Sequence, residues 1–281
     1  MLSLDKLIEH SGKLGSLPAI VYRVFDVMDN PKSTATQIGR IINDDPALTA
    51  RLLRLVNSPF YGFSAKVDTV YRAVALIGHK ELRSVVVAAS AVKAFDGIPS
   101  ELISMQDFWK RSLSTAVTAR VLAAFKREKE IERYFIAGLL HDIGSLLLLL
   151  KLPDEMAQVL QRQKNQGMDR CEAENEILGY DHTQVGGGLL KKWNLPPLIC
   201  GAVKFQQIPQ DAPESERRGA WLIHLASAIV AHHIERDEQL PEDACVDVAI
   251  WQANKLDYAL LPKILDKSQQ QYESSRDILL S

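Results

Sequence analysis

The chain has 281 residues, 47% of them hydrophobic, which is too apolar for a disordered segment and long enough for two packed subdomains. Its formal net charge of −2 gives no global attraction to a nucleic-acid backbone or an anionic membrane. Three widely spaced cysteines, Cys171, Cys200 and Cys245, fit neither a disulfide framework nor a zinc knuckle and read as buried thiols of a reducing compartment.

Along the chain the pattern is helical, with no alternating run that reads as a strand. Residues Met1 to Lys13 carry Asp5 and Glu9, so they lack the continuous apolar core of a signal peptide. Leu4, Leu7 and Ile8 form a short stripe that Gly12 and Gly15 close. Leu17-Pro18 opens a helix through Val21, Val24 and Met28, ending at Asn30-Pro31. Thr34 with Gln37 is a capping-box pattern. Asp45-Pro46 is a stronger start: Asp45 can accept from free N–H groups, and Pro46 gives up no bond at the first helical position. Leu48, Leu52, Leu55 and Val56 then share one face, and Asn57-Ser58-Pro59 stops the helix. A helix from Val70 to Ile77 ends at Gly78, and another runs from about Glu81 to Phe95.

Asp96-Gly97-Ile98-Pro99-Ser100 reads as a linker, which divides the chain into a first bundle, residues 1–96, and a second, residues 97–281. Longer helices follow, over roughly Glu101–Lys126 and Glu130–Leu150, the latter one continuous helix containing His141-Asp142-Ile143-Gly144 and stopped by Pro153. Its Leu146–Leu150 run is the longest apolar run, far short of the roughly 20 residues of a membrane span. The expected setting is therefore cytoplasmic. Asp181 can cap a helix carrying Val185, Leu189 and Leu190, which Asn194-Leu195-Pro196 ends. Trp221 to His233 forms a further helix, and the tail beyond Pro241 is helical but weakly patterned.

His and Asp side by side offer an imidazole nitrogen and a carboxylate oxygen, both ligands for divalent cations. Such a cation lowers the pKa of bound water and clamps a phosphate. A dipeptide is not a site, because further ligands must come from other helices, and a buried His–carboxylate pair is often structural. Gly186-Gly187-Gly188 lies within a helix without the preceding strand of a phosphate loop and reads as close packing against the His141 helix. His232-His233 read as solvated groups near a helix end.

The segment Asp45-Pro46-Ala47-Leu48-Thr49-Ala50-Arg51-Leu52-Leu53-Arg54-Leu55-Val56-Asn57-Ser58-Pro59-Phe60-Tyr61-Gly62 resembles the signature of HDOD domains, the HD-related output domains of bacterial signalling proteins. Ala73 to Gly78, Phe108-Trp109, Ala137 to Gly144, Gly179 to His182, Gly186 and Trp193-Asn194-Leu195-Pro196 continue the resemblance, which covers residues 10 to 235. It implies an all-α fold of two packed helical bundles, the second like HD phosphohydrolases. It marks Asp45, Pro46, Asn57, Ser58, Gly78, Trp109, Gly144 and Trp193 as signature positions. Asn57-Ser58 would fix how the bundles meet, and Phe60-Tyr61 would plug the groove between them or face a partner.

Active members of the wider HD superfamily, including cyclic-dinucleotide phosphodiesterases, use a set of His and Asp ligands. Carried over by resemblance, His141, Asp142 and His182 are kept. Arg111 stands at the first His position, Gln206 and Gln207 at a His-His pair, and Ser227 at a final Asp. A guanidinium cannot ligate a cation, neutral amides are poor transition-metal ligands, and Ser227 lacks a carboxylate. The expectation is a vestigial site with no metal, in which Arg111 takes the metal's place and pairs with Asp142. A lone divalent ion on His141, Asp142 and His182 is the alternative, because three protein ligands suffice for catalytic zinc. The expected role is a non-catalytic signalling module that binds a protein partner or small ligand, and not nucleic acid. The rival is a metal-dependent phosphohydrolase acting on a nucleotide or other phosphoester.

Overall fold

In the computed structural model, the structure describes residues 2–9, 17–30, 32–58, 61, 63, 65–91, 95, 98, 101–234 and 248–279. Gly12, Gly15, Pro59, Phe60, Gly62, Cys245, most of the 96–100 linker and residues 235–247 of the tail, Pro241 among them, lie outside these residues. The described residues contain helices and no strand, so the fold is all-α.

The first half holds α1 (Leu4–Glu9), α2 (Ala19–Met28), α3 (Ala35–Asn43), α4 (Pro46–Asn57), α5 (Val70–Ile77) and α6 (His79–Ala91). Local chemistry sets their ends. Thr34 and Gln37 form a reciprocal capping box at α3. The Asp45 carboxylate accepts from the Ala47 and Leu48 N–H groups, with Pro46 in the first turn of α4. Gly78 ends α5 at φ 79° and ψ 160°, a positive φ with extended ψ, a conformation open to glycine. The face of α4 carrying Leu48, Leu52, Leu55 and Val56 is buried.

The second half holds α7 (Met105–Phe125), α8 (Ile131–Leu139), α9 (Ile143–Lys151), α10 (Pro153–Gln166), α11 (Arg170–Leu178), α12 (His182–Lys192), α13 (Pro197–Lys204) and α14 (Glu214–Ile229). A π-helical turn, Val230–Ile234, extends α14. Beyond it come α15 (Val248–Ala253) and α16 (Leu261–Leu279). The expected single helix over Glu130–Leu150 is two, α8 and α9, broken at residues 140–142. By length and composition the stretch Ile131–Lys151 is apolar enough to cross a membrane, but 89% of its apolar window is buried inside the protein. Leu146, Leu147 and Leu148 are fully enclosed core residues.

One hydrophobic core runs through both halves, from Leu7 to Ile264. Several elements join them. Helix α16 packs on both α7 and α4, and α6 packs on α8. Arg133 of α8 reaches Glu81 of α6 with Nε at 2.9 Å and Nη2 at 2.8 Å, a fork that a lysine would not reproduce. Helix α1 lies against α12, where Lys192 donates to the backbone carbonyls of Ile8 and Glu9.

Candidate functional site

His141 and Asp142 occupy the break between α8 and α9, not the middle of a helix. Two close backbone approaches put them there. A Cβ on Gly138 would lie 2.6 Å from the Ala116 Cα, so α8 presses onto α7. A Cβ on Gly144 would lie 2.0 Å from the His182 carbonyl oxygen and 2.5 Å from the Gly186 nitrogen. The first turns of α9 and α12 therefore touch backbone to backbone at Gly186, the packing expected of the glycine run, whereas Gly187 faces Lys204 of α13 and Gly188 faces Ile8 of α1. Asp181 and Gln184 form a capping box that starts α12 at His182. The result is that His182 Nε2 stands 3.7 Å from Asp142 Oδ1, across 40 residues of sequence.

The buried polar groups at this junction are bonded to one another. The His182 Nδ1–H donates to Glu174 Oε2 at 2.6 Å, and the His182 backbone N–H donates to the same oxygen at 2.8 Å. Glu174, fully buried, accepts from Arg170 Nε at 2.9 Å through its other oxygen. Arg170 also stands 3.3 Å from Asp142 Oδ2 and donates to Ser145 Oγ at 2.6 Å. Ser145 donates in turn to Asp142 Oδ1. Both oxygens of Asp142 thus have partners inside the protein. The guanidinium paired with Asp142 is Arg170's, at the start of α11, where the sequence pointed to Arg111.

His141 directs Nδ1 to the Gly138 carbonyl at 2.8 Å, which assigns the proton to Nδ1. The break leaves the His141 carbonyl without a helical partner, and the Gln206 amide supplies one at 2.7 Å while also donating to the Val203 carbonyl at 3.1 Å. His224 Nδ1 stands 2.6 Å from the Gln206 carbonyl oxygen. Gln206 thus ties the end of α13 to the break.

Burial and these contacts set the charge states. Burial alone would raise the Asp142 carboxyl, but Arg170 first, then His182, His141 and the Ser145 hydroxyl, hold it down at about 2. Burial lowers the His141 imidazole, with His182 and Arg111 adding to the effect, so the ring is neutral near pH 7. Burial also pushes the Cys171 thiol up, followed by Asp181 and Glu174, so Cys171 is no thiolate.

Arg111, His141, Asp142, His182, Gln206, Gln207 and Ser227 all line one cavity of about 150 Å³, with Arg170, Cys171 and Asp169 beside them. The four substituted positions come from three separate places in the fold, α7, the end of α13 and α14. His141, Asp142, His182 and Gln206 form a buried floor, whereas Arg111 and Gln207 are exposed and Ser227 is half-buried at the rim. Sequence reasoning missed Arg170, Glu174 and Ser145. The only sequence trace of the first two is the four-residue spacing of an Arg and a Glu on a helix, which most often marks a solvated pair. Cys171, Glu174 and His182 also bring three donor atoms within 4.8 Å. The hydrogen bonds of Glu174 to His182 and Arg170 already engage two of them.

The other signature positions serve the scaffold. Asn57 at the end of α4 donates to the Leu53 and Val67 carbonyls at 2.8 and 2.6 Å and accepts from the Val67 N–H at 2.7 Å. Ser58 donates to the Leu55 carbonyl at 2.7 Å. Tyr61, half-buried, stacks on Phe63 at 5.8 Å. Trp109 packs edge-on against Phe108, and Trp193 is fully buried beside Phe95.

Comparison with known proteins agrees with this architecture. An uncharacterized protein of Treponema pallidum (strain Nichols) is 24% identical over 199 residues, 70% of this chain, which spans only 38% of that relative's length. The crystal structure of a Shewanella amazonensis protein named "Putative phosphohydrolase" superposes with a TM-score of 0.75 at 29% identity, covering 97% of each chain. That of a Marinobacter aquaeolei "Putative signal transduction protein" gives a TM-score of 0.68 at 22% identity, over 98% of this chain and 60% of the other, and shows the shared fold. The HDOD domain model matches residues 14–209, which include the α4 signature and the His141–Asp142 break, and the chain belongs to the HDOD domain family.

Proposed function

We propose that this chain is a non-catalytic regulatory module of a signalling system, working in the cytoplasm, which binds a protein partner or small ligand instead of cleaving a phosphoester. The observation that carries the reading is the engagement of both Asp142 oxygens inside the protein, one by the Arg170 guanidinium and one by the Ser145 hydroxyl. A metal centre in this cavity needs that carboxylate. Arg111 adds a fixed positive charge to the lining, Gln206 is committed to two backbone carbonyls, and Ser227 brings no charge. The two-metal clamp that phosphodiester cleavage favours has too few ligands here.

One observation favours the rival reading of a lone divalent ion on His141, Asp142 and His182. Both imidazoles engage a partner through Nδ1, the arrangement that leaves Nε2 as a metal ligand. That reading requires Arg170 to release Asp142. Metal analysis of the purified protein, with hydrolysis assays on a phosphoester panel in added Mn²⁺ or Mg²⁺, separates the two. The module reading predicts no stoichiometric metal and no turnover. Stoichiometric metal with turnover abolished by His141→Ala overturns it.

A further inference from the structure

One wall of the cavity is held differently from the others. Asp169, Arg170 and Cys171 line it from the start of α11. Helix α11 packs on α10, and α10 packs in turn on α9, so the two helices form a hairpin turned at Gly167. Its apolar anchors are few. The buried apolar side chains are Met156 and Val159 of α10 and Ala173 and Leu178 of α11, whereas α9 buries every residue from Ile143 to Leu149. Polar contacts supply much of the rest. Arg170 and Glu174 stand one turn apart on the same face of α11. Arg170 meets Asp142 and Ser145, and Glu174 meets the backbone N–H and Nδ1 of His182. Asn175 donates to Asp181 Oδ2 at 3.3 Å, at the cap of α12. Within the hairpin, Arg162 of α10 pairs with Glu176 of α11. Both ends of the hairpin leave helical backbone. Leu152, between α9 and α10, has φ −135° and ψ 52° and precedes Pro153. Gly179, after α11, stands at φ 81° and ψ 6°, a left-handed conformation.

We propose that the α10–α11 hairpin, residues 153–178, is a lid on the cavity, closed by Arg170 and Glu174 and opening as one body about Leu152-Pro153 and Gly179. Opening gives up little apolar contact, and the charges that it separates regain water, so it costs less than unfolding the chain. It carries Arg170 and Glu174 away together, which uncovers Asp142 and His182 at one stroke. The closed cavity of about 150 Å³ then becomes an open groove along α9 and α12. The lid serves the metal-free reading and its rival alike, because either one needs a route to these groups, and its failure leaves both untouched.

Native-state hydrogen exchange of the full chain in buffer containing EDTA, read by mass spectrometry of peptides, tests this. Undocked helices of 14 and 9 residues do not hold their amides closed in water, so exchange reports undocking. Peptides within residues 153–178 are expected to share one protection level, about tenfold or more below that of α7 and α8. Asn57→Ala weakens contacts that persist whether the lid is open or closed. It is expected to speed exchange in α7 and α8 by about tenfold or more and to leave residues 153–178 at their wild-type rate. Arg170→Met removes the closing contacts and is expected to speed exchange by about tenfold or more in α10 as well as α11, although its bonds are made from α11 alone. Should Arg170→Met fail to fold, the wild type and Asn57→Ala still decide. Hairpin protection equal to that of α7 and α8, or hairpin exchange that quickens with them in Asn57→Ala, overturns the proposal, because the hairpin then opens only when the whole chain unfolds. A response to Arg170→Met confined to α11 overturns it too, because the two helices then do not move together.

Discussion

The stretch around Asn57 and the break at His141–Asp142 use polar side chains in opposite ways. Asn57 and Ser58 bond to backbone groups, replacing hydrogen bonds that the end of α4 lacks. These contacts are neutral and short-range, and each is worth about 1 kcal/mol. At the His141–Asp142 break the polar side chains bond mostly to one another, through charges held away from water. A charged network of that kind adds little over well-packed apolar residues while it is whole, but losing one member leaves a buried charge alone. The first region is robust, and the second is a set of groups that must all be present together.

Arg170→Ala should expose this contrast most sharply. It leaves Asp142 and fully buried Glu174 without their shared cation, and urea denaturation should show a loss of about 3–5 kcal/mol. Arg170→Lys should recover only part, because one ammonium cannot replace the guanidinium fork spanning both carboxylates and Ser145. Gly144→Ala acts on the packing that creates the junction. Its methyl meets the His182 carbonyl oxygen at 2.0 Å, so a loss of about 3 kcal/mol, at the upper end for overpacking, is expected from the same measurement. Asn57→Ala should cost less, about 2 kcal/mol, with an unchanged denaturant slope; a loss as large as that of Arg170→Ala would erase the distinction between the regions.

The smallest expected effect is on pH dependence. The imidazoles of His141 and His224 are both lowered, burial being the largest cause in each. A depressed imidazole contributes stability that is present above the unfolded value near 6.5 and lost as pH falls towards the folded value. Unfolding free energy should therefore decline from pH 7 to pH 5, by about 1 kcal/mol for each group whose pKa is shifted by one unit. His224→Gln, which keeps a donor for the Gln206 carbonyl, should reduce that decline. A steeper decline in the variant would assign the effect to other groups.

The comparison also marks what the sequence could carry. Caps at Thr34, Asp45 and Asp181 were legible because each depends on residues within one turn. The meeting of Arg111, Gln206, Gln207 and Ser227 in one cavity followed from resemblance, which transmits three-dimensional placement that periodicity does not. The break at residues 140–142 was illegible, because no proline interrupts the apolar run and Gly138 and Gly144 act through other helices. It arises from α7 and α12 pressing on those glycines and from the Gln206 amide donating to a carbonyl 65 residues away. Arg170 stayed hidden for a related reason: its link to Asp142 spans 28 residues, and its four-residue spacing to Glu174 looks like an ordinary surface pair until Glu174 is found fully buried.

Metal stoichiometry of the purified wild-type protein, measured by inductively coupled plasma mass spectrometry after equilibration with Zn²⁺ or Mn²⁺ and desalting, tests the central claim most directly. With Arg170 holding Asp142, no stoichiometric divalent metal should be retained, and Arg170→Met should be the variant that first acquires affinity. One or two equivalents per wild-type chain, lost on His141→Ala or His182→Ala, would contradict the account.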